Sequence, residues 1–174
     1  KEWEICVGAV LTQNTNWKNV EKSLLSLKQA NCISPEDIVK ISEYDLRILI
    51  RSSGFYKQKA IKLKSLSKFV LSFRSFDQFI RNAKREDLLK INGIGQETAD
   101  SILLYACNKP YFVIDAYTRR LYDKLKIKIK NISNNDYEGY QYFFQKNIPK
   151  QTKLYKEFHA LIVRSGKDQH KNVT

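Results

Sequence analysis

A chain of 174 residues is long enough to bury one sizeable core, or two small lobes, without disulfides or a metal to hold it together. Lys and Arg outnumber Asp and Glu by 31 to 18, and the formal charge of +13 points away from an ordinary enzyme of small metabolites and toward a polyanionic partner. A Lys-rich solvated surface produces the same imbalance, so charge alone does not name that partner.

Cys6, Cys32 and Cys107 lie far apart and form no CxxC pair, which signals neither a disulfide framework nor a zinc site and suits a reducing compartment. No apolar run approaches a membrane span, and Glu2 and Glu4 are residues that a secretory signal avoids. A soluble intracellular protein is expected, in the cytoplasm or nucleoid, or in the nucleus of a eukaryote, with no membrane partner. The chain starts at Lys1 and contains no Met, so the native N-terminus is expected to lie upstream.

Helical spacing dominates from the first residues onward. Val20, Leu24, Leu25 and Leu27 form one stripe; Ile61, Leu63, Leu66, Phe69, Val70 and Phe73 continue from Tyr56; Leu154, Tyr155, Phe158, Leu161 and Ile162 close the series. Start signals agree: Ser34 precedes Pro35, Ser42 precedes Asp45 by three, and Ser75 precedes Asp77. Strand character is confined to Tyr111 to Ile114 and Lys126 to Ile132, both read as linking segments, with a small hairpin as the alternative. The Lys-, Ile- and Asn-rich stretch from Lys124 to Asn135 reads as a loop between lobes. The fold class is all-α.

Gly93 and Gly95 interrupt this helical pattern. Arg85 to Lys90 reads as a short helix, Ile91 to Gly95 as a tight turn, and Gln96 to Cys107 as a second helix with Ala99, Ile102, Leu103 and Ala106 on its inner face. Two glycines two apart allow positive φ and close backbone approach, with Ile94 tucked inward between them. Turn amides at the start of the second helix favour an anion, and in a basic chain the natural anion is a DNA phosphate. Gln96, Thr98 and Lys90 add polar groups around the turn, although a plain glycine-capped αα-corner has the same G-h-G pattern.

The hairpin from Leu88 to Cys107 is followed by Phe112-Val113-Ile114-Asp115-Ala116-Tyr117-Thr118-Arg119-Arg120, an acid between an apolar run and a basic helix. This pair, with Val10-Leu11-Thr12-Gln13-Asn14-Thr15 and Gly54-Phe55-Tyr56-Lys57-Gln58-Lys59-Ala60 upstream, resembles the helix-hairpin-helix DNA glycosylases of the endonuclease III superfamily. The resemblance implies a single domain over 1–174 made of two helical lobes flanking a DNA-binding cleft. Lobe A is expected over about 17–112, with the hairpin, and lobe B from about 1–16 together with 113–174. A damaged nucleotide of double-stranded DNA would be flipped into the cleft.

By the same resemblance Asp115 is the catalytic carboxylate, stabilising an oxocarbenium-like sugar and orienting water; on local sequence it also fits a helix N-cap over Tyr117 and Thr118. DNA contacts are expected from Gln13, Phe55, Lys59, Gly93, Ile94, Gly95, Gln96 and Thr98, with Phe55 as a wedge between bases and Gln13 filling the vacated space. Where bifunctional relatives carry a Schiff-base lysine stands Glu97, which implies monofunctional chemistry with water as nucleophile. No cysteine follows Cys107, and Gly166-Lys167-Asp168-Gln169-His170 occupies the place of the first iron–sulfur ligand, so no cluster or other metal is expected; a monovalent cation at the hairpin is left open.

Glu97 and the cluster-free end are most similar to the 3-methyladenine glycosylase branch, whose cationic bases call for an aromatic slot. Trp17 is the first candidate for that slot, followed by Tyr56 and Trp3. His159 reads as structural. The expected protein is a monomeric, monofunctional glycosylase for alkylated purines. The alternatives are a glycosylase for another damaged or mismatched base and a non-catalytic DNA-binding module.

Overall fold

The computed structural model describes residues 1–125 and 136–171. The Lys126 to Ile132 strand signal, and the loop expected over Lys124 to Asn135 apart from its first two residues, lie outside them. The described residues are helical, with no strands. No helix among them is long and apolar enough to cross a membrane.

Compactness divides the chain into Lys1–Cys107 and Asn108–Thr174. The expected lobes grouped about 1–16 with 113–174, so the two divisions part over the first helix. The reason for its place in the first unit is packing: α1 (Glu2–Leu11) buries Trp3, Cys6, Val7, Gly8, Val10 and Leu11. It lies against α2 (Trp17–Gln29), α5 (Tyr56–Leu71) and α8 (Gln96–Ser101). Trp3, offered as a pocket aromatic, is instead a core residue; it is 7% exposed, its indole N–H donates to the Ile33 carbonyl, and its ring meets Phe76 edge-on. A buried indole needs a partner for its N–H, and the loop after α2 supplies it.

The start signals in the sequence act as caps. Ser34, Ser42 and Ser75 accept from the amides of Asp37, Asp45 and Gln78, opening α3 (Pro35–Lys40), α4 (Glu43–Leu49) and α6 (Phe76–Asn82). Gly54 (φ +67) and Phe55 (φ +46) then turn the chain out of a 3-10 turn at Arg51–Ser53 into α5.

Helix α7 (Arg85–Leu89), the turn, and α8 form the hairpin, and α8 continues as a π-helical turn over Ile102–Ala106 that packs on α1. An ion pair absent from the sequence reading braces it: Arg85 donates to both carboxylate oxygens of Asp100, at 2.8 and 3.2 Å. Asp100 is fully buried and the Arg85 side chain is 15% exposed. The planar guanidinium matches the carboxylate with two parallel bonds, so the two helices are fixed in one register.

In the second unit an extended stretch leads into α9 (Ala116–Lys124), followed by α10 (Tyr137–Asn147) and α11 (Thr152–Lys171). Phe112, Val113 and Ile114 are buried, and with no neighbouring strand their backbone groups are satisfied by side chains of α10. The Phe112 amide donates to Gln145 Oε1, Gln141 Nε2 donates to the Phe112 carbonyl, and the Ile114 amide donates to the Tyr137 hydroxyl. Residues four apart share one face of a helix, so Tyr137, Gln141 and Gln145 act as a row of side-chain partners for an extended chain. Phe112 also stacks on Phe144 at 4.7 Å and meets Tyr155 edge-on at 5.4 Å.

Asp100→Ala should lower unfolding stability by about 3 kcal/mol, because it leaves a largely buried guanidinium without its carboxylate. Urea unfolding would show it; a loss within about 0.5 kcal/mol, the range of an ordinary surface change, would mean that the pair does not brace the hairpin.

Candidate DNA-binding and catalytic sites

The hairpin turn is built by local hydrogen bonds: the Ile94 amide donates to the Ile91 carbonyl and the Ala99 amide to the Gly95 carbonyl, at 3.0 and 2.9 Å. Ile94 is 4% exposed and tucks inward as its position between two glycines suggests. Only one of the glycines needs left-handed backbone. Gly93 has φ +83, whereas Gly95 has φ −87 and ψ 178 as the N-cap of α8, a conformation open to any residue. A Cβ at Gly95 would meet nothing within 4 Å, so its missing side chain leaves open space on the outer side of the turn. Gln96 is half-buried and Glu97 exposed in the first turn of α8.

Two expected DNA contacts point into the protein. Thr98 is 6% exposed, and its hydroxyl accepts from Gln13 Nε2 at 2.9 Å. Lys59 is 1% exposed, and its ammonium donates to the carbonyls of Leu11 and Ser53 at 2.8 and 2.6 Å. Burial, with repulsion from Lys62, lowers the Lys59 amine to about 8. Sequence spacing gives a residue's type and place but not its direction, which here is set by how α5 packs on α1.

Gln13 and Phe55 stand on the two loops that Lys59 joins. Phe55 is 62% exposed at the tip of its turn, in left-handed backbone that aromatic residues rarely adopt. Gln13 is half-buried, with Nε2 also donating to the Gly93 carbonyl and Oε1 accepting from Lys62 Nζ. Tyr56 is half-buried at the start of α5. Trp17 is 49% exposed; one ring edge lies over Gly8, and its N–H donates to the Glu21 carboxylate at 3.0 Å.

In the second unit Asp115 caps α9. Its Oδ1 accepts from the Thr118 amide and the Thr118 hydroxyl at 2.8 and 2.9 Å. Its Oδ2 lies 3.5 Å from His159 Nε2 on α11, and the two side chains are 16% and 12% exposed. Burial pushes the carboxyl up, but His159 and the two Thr118 bonds outweigh it and hold Asp115 below the usual carboxylate range. His159, read from sequence as structural, is therefore in contact with the candidate catalytic acid; no spacing rule connects two residues that far apart. Its ring is itself set against Phe112, at 6.5 Å and 90°.

Among the described residues no group of three or more His, Cys, Asp or Glu could hold a metal. Gly166 lies so close to Tyr117 that a Cβ there would collide with the ring.

Comparison with known proteins places these features in a family. Residues 7–150 match the model of the HhH-GPD superfamily of base excision DNA repair proteins. A Methanocaldococcus jannaschii protein assigned as a DNA repair glycosylase is 42% identical over 171 residues, 95% of this chain and 76% of its own length. Endonuclease III of Thermotoga maritima is 28% identical over 123 residues, and the match spans 56% of its length. Among solved structures, the 3-methyladenine DNA glycosylase of H. pylori, bound to 1,N6-ethenoadenine, superposes with a TM-score of 0.86 and 37% identity, covering 97% of this chain and 90% of that one. An endonuclease III–DNA complex, at 22% identity and a TM-score of 0.76 over 93% of this chain and 72% of its own, shares the fold.

Because the folded Asp115 carboxyl titrates below its unfolded value, its contribution to stability is present at neutral pH and is lost as the pH falls through the folded value. His159→Leu removes one of the groups holding it down, so the carboxyl should titrate at higher pH in the variant, read by carbon NMR of its side chain. An unchanged titration would mean that Thr118 alone holds it.

Proposed function

The chain belongs to the HhH-GPD superfamily of base excision DNA repair proteins, a family of DNA glycosylases, and we propose that it is a monofunctional glycosylase that hydrolyses the N-glycosidic bond of alkylated purines such as 3-methyladenine. The observation that carries this reading is Asp115, an ionised carboxylate that is mostly buried yet 16% exposed, with one oxygen fixed by Thr118 and the other facing His159.

An alkylated purine carries positive charge. When its glycosidic bond breaks, the electron pair leaves with the base, which departs neutral without needing a proton. Positive charge then develops on the sugar, and a fixed carboxylate stabilises it most where water is scarce. Asp115 also has an acceptor oxygen with which to orient the water that adds to C1′, whose proton leaves to solvent. Trp17 supports the choice of a cationic base: a half-exposed indole beside the Glu21 carboxylate offers both a π face and a negative charge.

Glu97 supports hydrolysis without strand cleavage, since a carboxylate forms no imine with the sugar. Lys59 does not take that role, because its amine is buried and bonded to two carbonyls. Nor does the reading invoke an iron–sulfur cluster: Tyr117 fills the space that a side chain at 166 would need. Phe55, held outward in left-handed backbone, acts as the wedge that replaces lost stacking when the base leaves the helix.

Duplexes carrying 3-methyladenine, 7-methylguanine, uracil, thymine glycol or a G·T mismatch, incubated with the protein and then treated with alkali, test this reading. Release is expected from the alkylated purines, with strand breaks only after alkali and no borohydride-trapped adduct. Asp115→Asn should slow release at least about a hundredfold while retaining binding to an abasic-site analogue. Release from uracil or thymine alone would reassign the substrate, strand breaks without alkali would refute monofunctionality, and binding without any release would leave a DNA-binding module.

A further inference from the structure

Gly93 has a neighbour that neither the motif nor the family match identifies. The side chain of Lys62 on α5 lies directly across it: a Cβ at Gly93 would stand 2.5 Å from Lys62 Cε, 2.6 Å from Cγ and 2.8 Å from Cδ. The lysine stem thus runs over the turn, and its ammonium ends at the neutral amide oxygen of Gln13. Among the described residues no carboxylate pairs with it.

The surroundings lack the negative charge that an ammonium in a partly buried place attracts. Lys62 lines a hollow of about 80 Å³ with Gln13, Asn14, Phe55, Gln58 and Lys59, and none of the six is acidic. The second amine, Lys59, is already committed to the Leu11 and Ser53 carbonyls. Lys62 is therefore the amine left to meet an anion from outside. A neutral amide is a weaker partner for it than a charged oxygen, since only the charged oxygen adds the attraction between opposite charges.

We propose that Lys62 binds a phosphodiester of the DNA backbone at the hollow beside the hairpin turn, and that Gln13 holds its ammonium in that place until DNA arrives. The inference rests on the reading that the hairpin grips duplex DNA. Occupation by phosphate frees Gln13 Oε1, leaving Gln13 held by its two bonds to the hairpin, at the Gly93 carbonyl and the Thr98 hydroxyl. Lys62 thereby links phosphate contact to a loosening of the residue expected to fill the vacated stack. It is a DNA-positioning residue and takes no part in bond cleavage.

Binding to a duplex containing an abasic-site analogue, measured from about 50 to 200 mM salt, tests the assignment. Each neutralised phosphate contributes about 0.9 to the log-log slope, so Lys62→Gln should flatten it by about that amount and weaken low-salt binding about tenfold. Lys62→Arg should restore both. Glutamine keeps a donor for Gln13 but not the charge, so a slope unchanged in Lys62→Gln would overturn the inference even if affinity fell. Thermal unfolding of each variant separates a folding defect from a lost contact. If the parent protein itself binds with a flat salt response, it is the DNA-grip reading that fails.

Discussion

The first unit depends on a buried ammonium. Lys59 donates to the Leu11 carbonyl at the end of α1 and to the Ser53 carbonyl at the end of the 3-10 turn. Both carbonyls stand at the negative ends of helical segments, where a cation is favoured. Burying the charge costs several kcal/mol before its partners are counted. Burial and the nearby Lys62 ammonium lower the amine to about 8. In return, one side chain fixes the starts of two loops: Leu11 precedes the loop that carries Gln13, and Ser53 precedes the turn that presents Phe55. The lysine of the motif acts behind the residues proposed to meet DNA.

The second unit meets the same need by other means. An extended segment with no sheet around it must find partners for its buried backbone groups, and Tyr137, Gln141 and Gln145 provide them along one face of α10. That row ends at Ile114, so Asp115 emerges at a defined place with its cap already directed at Thr118. Of the two roles that the sequence offered for Asp115, helix cap and catalytic carboxylate, the cap occupies only one oxygen. Oδ1 serves the helix, and Oδ2 faces His159.

What could be read from the sequence follows the range of the interactions. The three serine caps, the inward turn of Ile94, the positive φ at Gly93 and the cap at Asp115 are each decided within a few residues, and each was legible. The Arg85–Asp100 pair, the approach of His159 to Asp115 and the crossing of Lys62 over Gly93 join separate helices, and no period or motif encodes them. Thr98 and Lys59, both expected to contact DNA, are turned inward by helix phase, where the Thr98 hydroxyl accepts from the Gln13 side chain and the Lys59 amine serves two carbonyls. Gly95 has the open outer side expected of it, without the unusual backbone.

The exchange of charge around the hairpin gives these details a common sense. Glu97 in the first turn of α8 suits the helix dipole, but it sets a negative charge beside the turn proposed to hold phosphate. A lysine there would attract the phosphate and also bring a nucleophile to the sugar. Lys62 supplies positive charge from a different helix, with its stem laid over Gly93. On the proposed reading the grip keeps its electrostatics while a carboxylate stands where a nucleophilic lysine would act. On this arrangement the missing side chain at Gly93 has two uses: it permits the positive φ of the turn, and it makes room for the lysine that crosses it.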